Sequence, residues 1–204
     1  MATAYFYPAA NGDTNTWVAN TGANYAAVDE VTSDDDTTYV STTSRTNVYD
    51  FYNFTSNSTV ENATISSIDV YINTKYVKVG TGSGTCPMAR AIRTRGTNYY
   101  GTTYDITNGD TDRSRSWTTN PYTGVAWTPQ EIADLQIGIY GAETTGTGTA
   151  VFTPRCTQVY IRVTYTQTAP TAPTLNSPAD DAEITDTTPQ LLFTGTDTDS
   201  NDIR

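Results

Sequence analysis

Five carboxylates crowd one stretch of this chain: Asp29, Glu30, Asp34, Asp35 and Asp36. Hard cations want several oxygen ligands from a flexible loop, and adjacent carboxylates repel one another until something neutralises them. Asp29, Asp34, Asp35 and Asp36 are therefore the candidate metal ligands, for Ca²⁺, against the plainer expectation of a solvated acidic turn. Asp197, Asp199, Asn201 and Asp202 partly match the opening of an EF-type loop, but Asp202 stands where that loop needs glycine. No motif demands any other cofactor.

Nucleophilic catalysis finds no machinery. The chain has no histidine, so neither a Ser-His-Asp nor a Cys-His arrangement can be assembled. Zinc sites of the usual nitrogen and sulfur kind are excluded with it. Asp29, Glu30, Asp50, Asp69 and Asp134 could be paired on paper as glycosidase carboxylates. Any acidic chain offers such pairs, and the reading is a protein that is not an enzyme. The two cysteines, Cys86 and Cys156, are either buried free thiols or a single disulfide between strands.

Aromatic side chains offer binding rather than reaction. Ring faces take the apolar faces of sugars, while nearby Asn and Asp take the hydroxyls. Tyr99, Tyr100, Tyr104 and Trp117 are the candidate ligand-binding residues, since they lie in or beside turns. For Trp117, as for Trp17 and Trp127, packing between sheets is the competing expectation. Five of the eleven basic residues, Arg90, Arg93, Arg95, Arg113 and Arg115, fall within residues 90–115. That segment either forms local pairs on a strand face or meets an acidic neighbouring subunit.

The elements that must position these residues are strands. Only 36% of the 204 residues are hydrophobic, but 11% are aromatic, with fifteen tyrosines and abundant threonine. Both types pack well on a pleated, half-buried surface. Charged residues make up 16%, so Thr, Ser and Asn must cover the exterior. The net charge of −11 repels nucleic acid and anionic membranes, which excludes both as partners. No apolar run is long enough to cross a bilayer as a helix, and residues 1–13 lack the basic and apolar regions of a secretory signal.

Short apolar-alternating runs separated by turn signals predict a sandwich or barrel. Residues 158–166 alternate most cleanly, with Val159, Ile161, Val163 and Tyr165 on one face. Residues 64–79 form the longest run, read as two strands or as one with a bulge near Asn73 and Thr74. Residues 80–84 and 143–149 read as loops. One stretch breaks the pattern: Thr128 as N-cap, Pro129 at N1 and Glu131 at N3 form a capping box over a helical turn at residues 128–134. Leu135, Ile137 and Ile139 then alternate as a strand. Residues 168–178 read as a proline-rich linker.

Four motifs carry a resemblance. They are D-x-x-x-S-x-D-D-x-T-Y-V at residues 29–40, N-P-x-T-G-x-A-W-T at 120–128, L-Q-I-G-I at 135–139 and T-Q-V-Y-I-R-V-T-Y at 157–165. Together they resemble jelly-roll-like β-sandwich modules of tailed-phage and metagenomic virion proteins. The resemblance covers residues 15–167, and residues 179–204 resemble the opening of an Ig-like or fibronectin-III-like module. It implies an antiparallel jelly-roll-like sandwich over 1–167, the linker, and an incomplete second module, since a whole one needs about 100 residues. The function implied is a non-enzymatic capsid-decoration or tail module on a virion surface, assembling with other virion proteins or as a homo-oligomer. The alternative is a carbohydrate-binding or adhesive module of a larger secreted, extracellular protein, stabilised by Ca²⁺.

Overall fold

Two strands of 16 residues form the spine of the molecule, β6 (Thr64–Val79) and β14 (Val151–Thr166). In this computed structural model they pair antiparallel along nearly their whole length. The structure describes all residues except 35, 45, 46, 57, 168–171, 180–182, 184, 186 and 196–204. The second acidic run, Asp197 to Asp202, thus lies outside the described residues.

The apolar pattern of the spine changes phase twice, and bulges explain both changes. On β14 the inward residues are Phe152 and Cys156, then Val159, Ile161, Val163 and Tyr165. Thr157 is the extra residue that shifts the phase, opposite Asn73 and Thr74 of β6. A period-two pattern can switch parity only where one strand inserts a residue. The bulge therefore sits at the expected level but on the partner strand. Ser66 on β6 does the same between Ile65 and Ile68.

The spine belongs to the first sheet. β11 (Thr111–Trp117) flanks β6 on one edge. Beyond β14 lie β1 (Ala2–Phe6) and, further along, β4 (Val40–Ser41) with β3 (Val18–Ala19). The second sheet runs from β2 (Pro8–Asn15) through β5 (Val48–Phe54) and β12 (Gln136–Gly141) to β8 (Pro87–Thr94). β9 (Thr97–Tyr100) and β10 (Tyr104–Asp105) share the outer edge of β8. All pairings among the described residues are antiparallel, as expected for a jelly-roll-like sandwich. One apolar core joins the sheets, with Tyr52, Met88, Ile92, Ile137 and Ile139 from the second facing Ile68, Ile72 and Ile161 from the first.

A short helix, α1 (Ser58–Glu61), occupies part of what reads as a polar loop. The capped turn is present as α2 (Pro129–Ala133). The Thr128 hydroxyl accepts from the Glu131 amide at 3.2 Å, and Glu131 accepts the Thr128 amide at 3.2 Å. Ile132 and Leu135 are buried, whereas Ala133, expected on the apolar side, is exposed.

Three expectations change. The turn signal Asn11-Gly12-Asp13 and Pro8 predict the end of a first strand at residues 4–9, but β1 stops at Phe6 and β2 runs from Pro8 through that signal in the other sheet. The glycine-rich loops are not loops but a ladder. β7 (Gly84–Thr85) pairs with β13 (Thr145–Gly146). Amides of Thr81, Ser83 and Thr85 donate to the hydroxyls of Thr149, Thr147 and Thr145 at 3.0, 3.0 and 3.2 Å. Gly82, at φ +136°, permits this approach, since a Cβ there would lie 1.9 Å from the Thr147 carbonyl oxygen. Finally, part of the expected linker is strand: β15 (Thr174–Ser177) pairs with β16 (Leu192–Thr194).

Candidate functional site

The strand β9 turns its two tyrosines to opposite sides. Tyr99 pairs with Ile92 and faces inward, while Tyr100 pairs with Ala91 on the solvent side of the second sheet. That side carries an aromatic stack. Tyr140 on β12 meets Tyr49 of β5, 4.9 Å away by ring centroid and tilted at 39°, and Tyr100, 4.1 Å away and stacked at 21°, while Tyr49 and Tyr100 also lie 6.2 Å apart. Tyr49 also stacks on Phe51 at 5.4 Å. The intervening strand β8 presents only Ala89 and Ala91 here, both fully buried, which leaves room for Tyr100 to lean across it. The stack ends at Tyr100, which is 49% exposed, whereas Tyr140 is 5% exposed. Burial, followed by the neighbouring phenols, raises the Tyr49 and Tyr140 pKa values above the ordinary tyrosine value.

Beside this stack the same face is polar and already satisfied. The Asp13 amide donates to Gln136 Oε1 at 3.1 Å, and Arg93 Nε reaches Asp13 Oδ2 at 3.1 Å. Asp13 is on β2, yet Gln136 and Arg93 lie on β12 and β8, two and three strands away. Neighbouring strands are about 4.8 Å apart, so the segment around Asp13 must cross over the outer face. The Gln136 and Arg93 contacts hold the Asp13 carboxyl below its ordinary value.

The exposed end of the stack borders an open groove of about 350 Å³. Tyr99, Tyr100 and Arg115 line it, with Ser116, Thr118 and Thr119 supplying hydroxyls. β11, the edge strand of the first sheet, builds the far wall. Arg113, Arg115 and Trp117 pair with the inward-facing Ile72, Val70 and Ile68, so they share the inward side. Trp117 is only 7% exposed and its carbonyl accepts the Trp127 indole at 3.1 Å. Its ring packs in the core with Arg115 over it at 5.4 Å, so it supports the groove and offers no free face. Trp17 and Trp127 are buried likewise.

Tyr104 is not a free surface ring either. Arg90 and Arg113 place guanidinium carbons 5.2 and 4.8 Å from its ring centroid. Its hydroxyl lies 3.3 Å from Thr74 Oγ1, and burial raises its pKa. The structure therefore gathers Tyr99, Tyr100 and Trp117 at one groove and sets Tyr104 behind it, under two arginines. Sequence reasoning missed Tyr49 and Tyr140. The signal was present in the alternation of β5 and β12, which puts both on the face opposite Tyr52 and Ile139.

The acidic stretch takes a different course from a ready cation site. Asp36 is held by Lys75 at 3.2 Å and by Arg155. Asp34 Oδ2 accepts from the Thr38 amide and hydroxyl at 3.0 and 2.8 Å, and Thr38 also donates to Glu30. Burial, with the like charges of Asp34 and Asp29 as smaller contributions, raises the Glu30 pKa. Asp35 lies outside the described residues. Among the described residues no three acidic, His or Cys side chains are grouped to hold a metal, because the protein's own cations neutralise Asp36. Both cysteines are free and buried, which corrects the disulfide alternative. The Cys156 thiol contacts the Gln158 carbonyl at 3.3 Å.

No family model matches this chain, and no curated protein does. Among solved structures it is similar to a CBM4 carbohydrate-binding module, with 15% identity, a TM-score of 0.39, and coverage of 73% of this chain and 95% of the other. It is also similar to the CBM22-1 xylan-binding domain from Paenibacillus barcinonensis Xyn10C, with 13% identity, a TM-score of 0.36, and coverage of 79% and 92%.

Proposed function

We propose that this chain is a non-catalytic carbohydrate-binding module of an extracellular protein, and that it holds a saccharide in the groove beside Tyr100. The observation that carries this reading is Tyr100 itself. One face of its ring rests on Tyr140, with Tyr49 6.2 Å away, and half of its surface remains open beside a concave, hydroxyl-lined groove. A ring fixed before binding loses little conformational freedom when a ligand stacks on it, so more of the contact energy appears as affinity. Hydroxyls from Ser116, Thr118 and Thr119 are suited to the ring hydroxyls of a sugar. A second tyrosine strip, Tyr5, Tyr7, Tyr71 and Tyr160, lies across the first sheet.

Affinity electrophoresis through gels containing soluble polysaccharides tests the reading. Retardation of the wild type, lost in Tyr100→Ala without a change in melting temperature, is the expected result. Equal retardation of the two proteins, or none by any polysaccharide, refutes it. The phage-particle role implied by the four motifs rests on those motifs alone, and mass spectrometry of a purified particle's proteins tests it.

A further inference from the structure

Arg115 brings a cation into the groove beside Tyr100 in a chain that is strongly acidic. Lys75, Arg93, Arg95, Arg155 and Arg162 each reach a carboxylate. Lys78 donates to the Gly82 carbonyl. Arg90, Arg113 and Arg115 differ: none has a carboxylate within 4.0 Å among the described residues. Yet the sequence has 22 acidic residues against 11 basic ones, so carboxylates were available to pair them.

These three arginines are also gathered. Arg90 projects inward from β8, and Arg113 and Arg115 project inward from β11 on the facing sheet. A Cβ at Gly101 would meet Arg115 Cγ and Cδ at 3.3 Å and Arg90 Nη2 at 3.6 Å, so the absence of a side chain there lets both approach. Arg90 and Arg113 share the ring of Tyr104. Arg90 is 8% exposed, and its buried Nε has no hydrogen-bond partner. Burial lowers its pKa first, and the charges of Arg115 and Arg113 act in the same direction. Gathering like charges without a counter-ion costs stability, and a ligand anion removes that cost.

We infer that the groove selects an anionic saccharide, one bearing a carboxylate or sulfate that the guanidinium of Arg115 receives, with Arg90 and Arg113 behind it. This rests on the carbohydrate-binding reading and adds the class of ligand. The guanidinium fork matches the two oxygens of either group. The net charge of −11 adds a restriction. A densely charged polyanion is repelled by the rest of the surface, while an isolated anionic group on a neutral sugar meets mainly the arginines. Screening over about 8 Å at physiological salt makes that local field decisive.

The test is an array of neutral, uronate-bearing and sulfated oligosaccharides, with carboxyl-reduced partners of each uronate, probed with wild type, Arg115→Gln and Arg115→Lys. Hits confined to the anionic glycans are expected, weakened about 10–100-fold in R115Q and by less in R115K, which keeps the charge but loses the fork. Uronate and sulfate arms separate the two anions. Hits among neutral glycans that R115Q leaves unchanged overturn the anionic class while keeping the sugar-binding reading. An array without hits overturns both. Light scattering supplies the other adverse result: a wild-type oligomer that salt or R115Q dissociates would assign the arginines to an acidic face of a second copy.

Discussion

Replacing Asp50 by alanine tests how the interior of the second sheet is held. Asp50 is fully buried and projects inward from β5. Its carboxylate accepts from the Tyr52 hydroxyl at 2.6 Å, Asn24 Nδ2 at 2.9 Å and the Trp17 amide at 3.4 Å. In the variant Asn24 keeps the Trp17 carbonyl at 2.7 Å, but the Tyr52 hydroxyl loses its acceptor in a site that water cannot reach. An orphaned buried donor costs about 1–3 kcal/mol, and the long Trp17 bond adds less. The expected loss is about 2–4 kcal/mol, or roughly 5–15 °C in melting temperature for a domain of this size. The pH dependence gives a sharper test. Burial raises the Asp50 pKa above the ordinary aspartate value, and its hydrogen bonds only partly oppose the shift. A carboxyl that holds its proton more tightly when folded adds stability at acid pH, and that addition disappears as pH rises through the folded value. Guanidinium unfolding followed by tryptophan fluorescence from pH 4 to 8 should therefore show the loss in Asp50→Ala shrinking as pH rises. A loss that grows with pH would mean that the donors dominate burial, and the reasoning would be wrong.

Tyr140→Leu keeps an apolar side chain but removes the ring behind Tyr100, so saccharide binding measured by calorimetry should weaken about 2–10-fold, while Tyr140→Phe should leave it unchanged. In Glu131, burial acts upward but the Thr128 amide and Arg95 prevail and lower the pKa. The stability lost in Glu131→Gln should accordingly be full at neutral pH and vanish below the ordinary glutamate range, as read from urea melts across that window. Burial pushes the Cys86 thiol up to about 12 and raises Cys156 as well. A thiol reagent at pH 8 should thus label neither cysteine in the native protein and both in denaturant, and a protein unlabelled in denaturant would restore the disulfide. Gly82→Ala should open the threonine ladder, seen as faster amide exchange at Thr147 and Thr149, whose amides bond Ser83 and Thr81 at 2.8 and 2.9 Å.

Much of the fold was legible because parity and caps are local signals. The box at Thr128 and Glu131 and the alternation of Leu135, Ile137 and Ile139 needed nothing from the rest of the chain. The threonine ladder was not legible, since Thr81 and Thr149 are 68 positions apart and glycine-rich runs read as loops until a partner is known. The sign of the Asp36 environment was hidden for the same reason: Lys75 and Arg155 reach it from the two spine strands. At the candidate site, composition drew attention to a stretch of arginines and tyrosines without saying which way each one faces. Only the facing of β11 against β8 separated Arg93 and Arg95, which find local acids, from Arg90, Arg113 and Arg115, which do not. Tyr104 read as a surface ring because turns flank it, but strand facing turned it inward, whereas for Trp117 the competing expectation of packing between sheets holds.

The pairing of β1 with β14 places Ala2 beside Tyr165. Whatever chain is joined to either side of this sandwich enters and leaves at one corner. Tension between those attachments does not shear the two strands along their length. It separates them one rung at a time, beginning at Ala2 and Tyr165 and moving toward Phe6 and Ile161. Peeling needs far less force than shear, because the rungs break in sequence rather than together. Under load the module thus lengthens first by surrendering β1, while β14 is still held on its other side by β6.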